Sequence, residues 1–430
     1  MTRLRLEAGN TFRSLRNHNF RLFFSGQLIS QTGTWLEAVA ITWLMLKLTD
    51  SGLALGLVMA ARFGPLLVLG PWGGVLSDRL DRQKLMLATQ VCFASIAVVE
   101  TVLVLTDNVS ETVFYLFVTF FGVLTAIDSP ARRAFVVELV DTDDVPNAVG
   151  LNSALMTSAR TIGPAIAGAL IAGPGIKWCF IVNAFSYLFV IGALLKLDRS
   201  KFRSSPRIAK AKGQLVEGFR YVWRTPNLML PLVLATVIGT LAFNYQVTLP
   251  LLAERDLAGD AGTFTLLYAV LSLGSVAGAL AVARRTEIDI RFLLVGGTGM
   301  AIATIALALA PTTALALAAA LPLGFMSFLV ISGCNTMAQM QADPAMRGRV
   351  LALFSMVFLG STPIGGPIVG WISEELSPRA GLAVGGIATA LVTAWVARHI
   401  RQAARRSSTE DSPGAVDSAD SQPQPEPAAA

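Results

Sequence analysis

The stretch GGVLSDRLDRQKL (residues 73–85) places four charged side chains within five residues, between two long apolar runs. Each of these runs, 52–76 and 84–105, is long enough for a helix that crosses a bilayer, which needs about 20 mostly apolar residues. The stretch therefore predicts a short polar turn that connects two membrane-spanning helices.

The composition of the whole chain agrees with this pattern. Of its 430 residues, 53% are hydrophobic and only 14% are charged. Soluble domains carry about 25% charged residues, so the charge content excludes a soluble enzyme of this size. Disorder over most of the length is also excluded, because disordered chains combine low hydrophobicity with high net charge. The composition therefore indicates a polytopic membrane protein.

Apolar runs of spanning length occur twelve times along the chain. The predicted spans are 22–46, 52–76, 84–105, 112–128, 147–172, 178–197, 228–252, 263–283, 292–310, 314–338, 350–373 and 380–398. We predict an all-α integral membrane protein with twelve transmembrane helices arranged as two six-helix halves. The predicted segments are a basic arm (1–21), an N-terminal half (22–197), a central loop (198–227), a C-terminal half (228–400) and a disordered tail (401–430).

The distribution of basic residues predicts the orientation in the membrane. Of 34 Lys and Arg residues, 28 fall in the N-terminal arm, in alternate loops and near the C-terminus, and four fall in the other loops. Cytoplasmic loops carry an excess of Lys and Arg, so both termini and the central loop are expected in the cytoplasm. The net charge of +6 then reports orientation, and no nucleic-acid partner is expected.

The sequence offers little material for metal or cofactor chemistry. The three cysteines lie in apolar runs without a CxxC spacing, and the two histidines lie near opposite ends of the chain. A zinc site needs clustered Cys or His ligands, so we expect no metal and no cofactor. The phosphate-binding GxxxxGK[ST] pattern is also missing from the sequence, which argues against ATP hydrolysis within this chain.

The stretch 73–85 resembles the G-x-L-x-D-R-x-G-R signature of the major facilitator superfamily. Gly74, Leu76, Asp78, Arg79 and Arg82 are in register with that signature, and an aspartate stands at its second glycine. The segments GQLISQTGTWLEAVAITWLMLKLT (26–49), DSPARRAFVVELV (128–140) and RGRVLALFSM (347–356) are similar to the branch that includes macrolide-efflux and enterobactin-exporter proteins. The resemblance implies the major facilitator fold.

The same resemblance implies a gate at the cytoplasmic ends of the helices. Asp78 would accept hydrogen bonds from the start of span 11, near residues 349–352, where the helix dipole favours an anion. Arg82 would pair with Asp128 at the end of span 4. The expected gating residues are Gly74, Asp78, Arg79, Arg82, Asp128 and Arg132. The alternative is that these charges only set the topology.

Span 5 contains ARTIGPAIAG (159–168), which resembles the Gly-Pro motif of the superfamily's antiporters. Gly163, Pro164 and Gly168 match that motif. Small residues let helices approach closely, and proline bends a helix. The motif predicts either a tight, bent contact that favours export or ordinary close packing.

Charges inside the predicted spans are the candidates for ion coupling, because each is costly in a bilayer. They are Glu37, Arg62 and Arg160; Glu100 lies near the outer end of span 3, where water weakens the argument. Glu37 shares one helical face with Gln27, Ser30 and Thr34, and this polar face is expected to line the central cavity. The hypothesis is a proton-titrating carboxylate, and the alternative is a permanent Glu–Arg bridge.

The resemblance also places spans 4, 7 and 10 around a substrate cavity. Besides the polar face of span 1, the expected lining residues are Phe117, Phe121, Phe243, Asn244, Gln246 and Asn335. Aromatic rings with a few amides suit a bulky amphipathic ligand. For each phenylalanine, helix packing or lipid contact is the alternative interpretation.

The sequence therefore predicts a proton-coupled secondary transporter that exports a bulky amphipathic small molecule, such as a drug or a siderophore-like metabolite. We expect it to work as a monomer in the cytoplasmic (inner) membrane, with the small molecule, protons and the lipid bilayer as its partners. An importer or a lysophospholipid flippase of the same fold stays open as an alternative. A membrane-embedded lipid-modifying enzyme is the remote alternative.

Overall fold

The computed structural model describes residues 12–203, 214–283, 285, 288–343 and 346–410, and all regular structure within these ranges is helical. The long helices are α1 (His18–Thr49), α2 (Gly52–Arg79), α3 (Arg82–Leu105), α4 (Glu111–Glu138), α5 (Val145–Ala172), α6 (Lys177–Leu195), α7 (Pro226–Asp256, interrupted), α8 (Ala261–Ala283), α9 (Ile290–Leu309), α10 (Thr313–Gln341), α11 (Arg347–Glu375) and α12 (Pro378–Glu410). A short connecting helix, Gln214–Arg224, precedes α7.

Within the described residues, eleven segments belonging to α2 to α12 are long and apolar enough to cross a membrane. The chain is therefore a multi-pass membrane protein, as the composition predicts. Helix α1 has 32 residues, which exceeds the length of a span, but its polar and charged side chains reduce its apolarity. The total of twelve spans stays a prediction.

The turn at 80–81 shows why an aspartate can replace the signature's glycine. Asp81 has an extended backbone, with φ −63° and ψ 115°, which any residue can adopt. Its side chain accepts a hydrogen bond of 3.0 Å from the backbone N–H of Lys84 and so caps α3.

At the other end of the bundle, Asp260 accepts a hydrogen bond from the backbone N–H of Thr263, which holds the pKa of Asp260 below its usual range.

Two segment boundaries differ from the prediction. Helix α4 continues to Glu138, ten residues beyond the predicted end of span 4. Pro130 lies inside it without ending it. Helix α12 extends to Glu410, so the predicted tail at 401–430 begins as helix, and residues 411–430 lie outside the described ranges. The end of an apolar run marks where a helix leaves the membrane and not where the helix itself ends, so both helices continue beyond their predicted spans.

The bundle has two ends that the following description needs. The basic end holds the α2–α3 turn at residues 80–81, and the opposite end holds the α1–α2 turn at residues 50–51. One buried apolar cluster, which includes Phe20, Met86 and Phe135, lies entirely within α1 to α6 and the residues flanking them. A second, larger cluster contains residues of both halves and so joins them.

Helices α2 and α11 join the halves through glycines. A Cβ atom at Gly52 would lie 2.6 Å from the carbonyl oxygen of Gly370, and one at Gly56 would collide with the carbonyl of Gly366. Gly70 lies about five turns from Gly52 on the same face of α2. A Cβ there would meet no described atom within 4 Å. The two helices are therefore in backbone contact toward the opposite end. Nearer the basic end they meet through a side chain, because a Cβ at Gly360 of α11 would collide with Leu67 of α2.

Helices α8 and α10 cross at a similar glycine contact, which predicts the effect of a substitution. A Cβ at Gly324 would overlap the backbone carbonyl of Leu271, so Gly324→Ala must push two helices apart. We expect a loss of about 1–3 kcal/mol of stability, the usual cost of overpacking. Thermal unfolding of the purified protein in detergent would measure it.

The matched control for this prediction is Gly192→Ala in α6, where an added Cβ would meet nothing within 4 Å. We expect the control to unfold at or slightly above the wild-type temperature, because alanine is the better helix former. Equal unfolding temperatures for the two variants would contradict the tight crossing.

Candidate functional site

A cavity of about 110 Å³ lies between the two halves of the bundle. Small-molecule sites are concave and lined mainly by apolar and aromatic side chains with a few polar groups, and this cavity has such a lining. Its lining side chains come from α1, α2, α5, α7, α8 and α11 and are mostly aromatic. They are Trp35, Met59, Phe63, Arg160, Phe243, Asn244, Tyr245, Gln246, Tyr268, Phe358 and Thr362. We call this space the central cavity.

Helix α7 is irregular where it lines the central cavity. A π-helical turn covers Ile238–Ala242, and the α-helix resumes at Tyr245. The side-chain amide of Asn244 donates a 2.7 Å hydrogen bond to the carbonyl oxygen of Thr240, which leaves its buried Oδ1 without a partner. Nε2 of Gln246 also has no partner. Irregular backbone at membrane depth is tolerated where it lines a cavity, so the break fits this location.

Arg160 of α5 supplies the positive charge of the central cavity. Its guanidinium lies 5.1 Å from the ring centroid of Trp35 and 5.2 Å from that of Phe243. The lining contains no Asp or Glu, and no ion pair to Arg160 is found within the described residues. The cavity therefore carries a cation that only aromatic faces stabilise.

A second, much smaller cavity of about 10 Å³ lies inside the N-terminal half. Glu37, Arg62 and Glu100 line it, and each is at most 9% exposed. The guanidinium of Arg62 lies 4.4 Å from the ring centroid of Phe121, and Tyr187 closes another side. We call this space the carboxylate cavity.

The charges in the carboxylate cavity do not balance. The two carboxyl groups interact with each other, and the guanidinium of Arg62 acts on both. Within the described residues, however, no ion pair closer than 4.0 Å joins Arg62 to either carboxylate. Two carboxylates and one guanidinium would leave one uncompensated negative charge if both acids were ionised. Such a charge is unfavourable in a low dielectric, so the arrangement can bind a proton.

The prediction that the polar face of α1 lines the space between the halves is wrong. Gln27, Ser30, Thr34 and Glu37 are all buried inside the N-terminal half. Gln27 accepts a 3.3 Å hydrogen bond from Arg132, and the hydroxyl of Thr34 lies 3.3 Å from that of Tyr187. Trp35, on another face of α1, lines the central cavity instead.

The packing of α1 against α6 explains this correction. A Cβ at Gly26 would lie 2.8 Å from Cβ of Ala193, and one at Gly33 would lie 2.8 Å from Cβ of Ser186. These glycines bring the polar side of α1 directly onto α6, which turns it away from the other half. The spacing of polar residues defines a face but does not say which neighbour that face meets.

Three other predicted positions also differ from their expected surroundings. Phe121 lines the carboxylate cavity, while Phe117 and Asn335 are half-buried and line neither cavity. Arg160 lies in the central cavity, apart from the cavity shared by Glu37 and Arg62. Phe243, Asn244 and Gln246 do lie in the lining of the central cavity.

The sequence gives a weak signal for Glu100, because the residue falls five residues before the end of α3. The structure buries it to 3% exposure, and neighbouring helices cover it from water. Glu100 lies one turn beyond Ala97 and two turns beyond Phe93, and both of these residues also line the carboxylate cavity. This helical spacing is the signal in the sequence that places Glu100 on the buried face of α3.

The predicted gating residues lie at the basic end, with one changed partner. Arg82 pairs with Glu138 and, at 3.7 Å, with Asp78, so the expected pair with Asp128 is replaced. Because α4 continues to Glu138, that residue rather than Asp128 lies at the level of Arg82. Of the remaining gating residues, Gly74 is buried and Arg79 is exposed.

Asp128 lies deeper in the N-terminal half, where it is 2% exposed. It accepts hydrogen bonds from Thr89 at 2.8 Å and Gln90 at 3.0 Å, and it pairs with Arg132 at 3.5 Å. Arg132 in turn reaches Gln27. These contacts form a polar network between α1, α3 and α4 in which both carboxylate oxygens of Asp128 have a partner.

Three polar contacts join the two halves at the opposite end, and we call them the opposite-end latch. They are the ion pair of Lys47 with Glu254, the ion pair of Asp50 with Arg255 at 3.1 Å, and the contact of Glu374 with the start of α2. In the last, Oε2 of Glu374 accepts hydrogen bonds from the hydroxyl of Ser51 at 2.6 Å and the backbone N–H of Leu53 at 2.9 Å. A carboxylate at a helix N-terminus is favoured by the helix dipole.

The Gly-Pro motif of α5 makes two close contacts. A Cβ at Gly163 would lie 2.8 Å from the carbonyl oxygen of Thr32 in α1. One at Gly168 would lie 2.9 Å from the hydroxyl of Thr265 in α8 of the other half. Pro164 lies inside the helix between them. The motif therefore packs α5 against both its own half and the opposite one.

Comparisons with known proteins agree with this architecture. Residues 9–422 match the family model described as transmembrane secretion effector. The chain is 26% identical over 266 residues to the staphyloferrin A transporter of Staphylococcus aureus, a match that covers 60% of this chain and 66% of that protein. It is 27% identical over 405 residues to the enterobactin exporter EntS of Escherichia coli, covering 91% and 96% of the two chains.

Among solved structures, the chain is similar to a bacterial homolog of the human lysosomal transporter Spinster in its inward-facing, occupied conformation. The TM-score is 0.67 and the sequence identity 16%, with coverage of 91% of this chain and 97% of that one. At this identity the likeness shows a shared fold. It supports the arrangement of the helices rather than any particular ligand.

Weakening the opposite-end latch should increase the distance between the two halves at that end of the bundle. The double variant Lys47→Met with Glu374→Gln removes an ion pair and an anionic acceptor that both join the halves. Because each partly exposed pair contributes at most about 1 kcal/mol, we expect a shift of population rather than unfolding. Double electron–electron resonance between labels on the α3–α4 and α9–α10 loops should show a longer distance in the variant.

Lys177→Met is the matched control. Lys177 pairs with Asp107 at 2.9 Å at the same end of the bundle, but both residues belong to the N-terminal half. We expect the control to leave the distance unchanged. The same lengthening in both proteins would show that the loss of surface charge, and not the latch, moves the halves.

Proposed function

The chain belongs to the transmembrane secretion effector family of the major facilitator superfamily, and we propose that it exports a bulky amphipathic small molecule in exchange for protons. Its relatives and its fold are those of transporters and not of enzymes, so the lipid-modifying enzyme is excluded. The chain belongs to the branch that contains the enterobactin exporter.

The observation that carries the proposal is the central cavity, which lies between the two halves. Among the described residues, the latch and the α2–α11 glycines join the halves at the opposite end. Alternating access needs a site near the midplane that two rigid halves enclose in turn. In our proposal the structure is the state in which the opposite end is closed. Substrate then reaches the cavity from the basic end, where a Cβ at Gly70 of α2 would meet no described atom within 4 Å.

We propose that α1 is the first of twelve spans and that the basic end faces the cytoplasm. In this proposal the arm 1–21 and the loop 198–227 lie in the cytoplasm. The halves 22–197 and 228–400 cross the membrane, as assigned from the sequence. The support is the excess of Lys and Arg on the loops of the basic end. Residence in the cytoplasmic (inner) membrane and action as a monomer belong to the same proposal.

The direction of transport is proposed as export. The support is the name of the matched family, transmembrane secretion effector, and the enterobactin exporter among the relatives. For the gate, we propose that the latch opens while Asp78 engages the start of α11, which closes the basic end. In the present structure Arg349, at the start of α11, pairs with Glu217 of the connecting helix at 2.8 Å.

Proton coupling is proposed at the carboxylate cavity. Glu37 and Glu100 would share one proton when the cavity is sealed, because two carboxylates beside one guanidinium are unfavourable there. When the halves move, the exposure and spacing of these groups change, so the proton is released on the side where the cavity is wetted. The single positive charge of Arg62 can compensate one of the two carboxylates but not both. Arg160, which lies in the other cavity, takes no part in the proton exchange.

The coupling proposal predicts that transport loses its dependence on the pH gradient when either acid is replaced. Glu37→Gln and Glu100→Gln each leave a neutral, hydrogen-bonding side chain that cannot exchange a proton. In proteoliposomes with an imposed pH gradient, we expect uptake of enterobactin, staphyloferrin A or ethidium by these variants to be the same with and without the gradient. Wild-type protein should show acceleration by the gradient for at least one probe.

Glu111→Gln is the control, because Glu111 is an exposed acid at the start of α4. It should transport as the wild type does. Gradient-driven transport that persists in both Glu37→Gln and Glu100→Gln would remove the carboxylate cavity from the coupling role. Acceleration of transport from the opposite end toward the basic end, instead of from the basic end outward, would favour the importer, and movement of a lysophospholipid alone would favour the flippase.

A further inference from the structure

The central cavity contains a positive charge that the protein itself does not neutralise. Arg160 has no carboxylate among the lining residues and no ion pair within the described part of the chain. Trp35 and Phe243 stabilise its guanidinium by cation–π contacts at 5.1 and 5.2 Å. Such contacts are weaker than a charge-assisted hydrogen bond, and they leave the N–H donors of the guanidinium available.

Two amide side chains that line the same cavity as Arg160 each have one atom without a partner. Asn244 is 3% exposed, and its orientation is fixed because Nδ2 donates to the carbonyl of Thr240. The atom left without a partner is therefore Oδ1, an acceptor. Gln246 contributes a donor, Nε2, that is likewise without a partner. Buried polar atoms are normally hydrogen-bonded, so these atoms point to a ligand or water that completes them.

We propose that Arg160, Asn244 and Gln246 form an acid-binding subsite, so that the substrate is an amphipathic organic anion. The guanidinium and Nε2 of Gln246 donate to a carboxylate or a similar acid group, and Oδ1 of Asn244 accepts from an O–H or N–H of the same molecule. The aromatic rings hold a flat apolar body. The inference rests on the proposed function only in taking this cavity as the substrate site.

The carboxylate cavity makes a contrast that supports this assignment. There a guanidinium of the same kind, Arg62, shares its cavity with two acids of the protein. Arg160 has two aromatic faces and two open amide atoms instead. A residue whose task was structural pairing or proton exchange would need an acidic partner within the protein, and the lining of the central cavity has none. The missing anion is therefore assigned to the substrate.

Binding of a matched series of probes tests the subsite directly. Naphthalene carboxylate, naphthylmethanol and naphthylmethylammonium share one aromatic body and carry a negative, a neutral and a positive head group. Titration calorimetry with the full-length protein in nanodiscs should give the lowest Kd for the carboxylate. Arg160→Gln should raise that Kd by about 10- to 100-fold, because a charge-assisted hydrogen bond is lost, and should leave the Kd of the alcohol unchanged.

Two further variants guard against a simple loss of folding. Arg160→Lys keeps the charge and should retain the preference for the carboxylate. Asn244→Asp places an acid beside Arg160 and should abolish that preference while Arg160 remains. Arg398→Gln, which removes an exposed arginine of α12, should behave as the wild type.

Equal affinity of the wild type for all three head groups would overturn the subsite, and so would an unchanged carboxylate Kd in Arg160→Gln. These outcomes are separate from failure of the transport proposal. Binding with the expected head-group preference but without transport in proteoliposomes would support the subsite while rejecting proton-driven export.

Discussion

The structure depends on one constraint, which is that the bilayer offers no water to a buried charge or an unpaired backbone group. The chain satisfies this constraint by gathering its intramembrane charges into two cavities. Glu37, Arg62 and Glu100 share one, and Arg160 lies in the other. The break in α7 follows the same constraint, because its irregular backbone lines the central cavity and does not face lipid.

The same constraint explains why the halves are held together by small residues and a few polar contacts. Lipid is as apolar as leucine, so burying apolar surface between helices gives little driving force in a membrane. Backbone contact at Gly56 and Gly366, and the polar contacts of Glu374 with the start of α2, are specific and few. An interface of this kind can be broken and remade, which alternating access requires. A continuous apolar interface along the whole length of α2 would hold the halves fixed.

Much of the fold was predictable, because the membrane imposes a strong and simple pattern on the sequence. Apolar length located the helices, and the charged turn at 80–81 was found where it was predicted. The site was less predictable. The face formed by Gln27 and Thr34 was identified correctly as one polar face, but its neighbour was not, because glycine contacts with α6 decide that neighbour in three dimensions. Glu100 was undervalued for a similar reason, since distance from the end of a helix is a poor measure of burial within a bundle.

Helix α1 offers a route by which the two cavities can influence each other. Trp35 lines the central cavity, Glu37 lines the carboxylate cavity, and Lys47 belongs to the opposite-end latch. Glu37 and Lys47 are ten residues apart, which is about 15 Å along a helix. Because Trp35 and Glu37 point to different sides of the same rigid helix, a rotation or shift of α1 that relieves one cavity must also change the other. Under the proposed mechanism, coupling therefore needs no charged path between substrate and proton. It needs only that no single position of α1 is favourable for the unprotonated carboxylates, for the central cavity without substrate and for the closed latch at the same time.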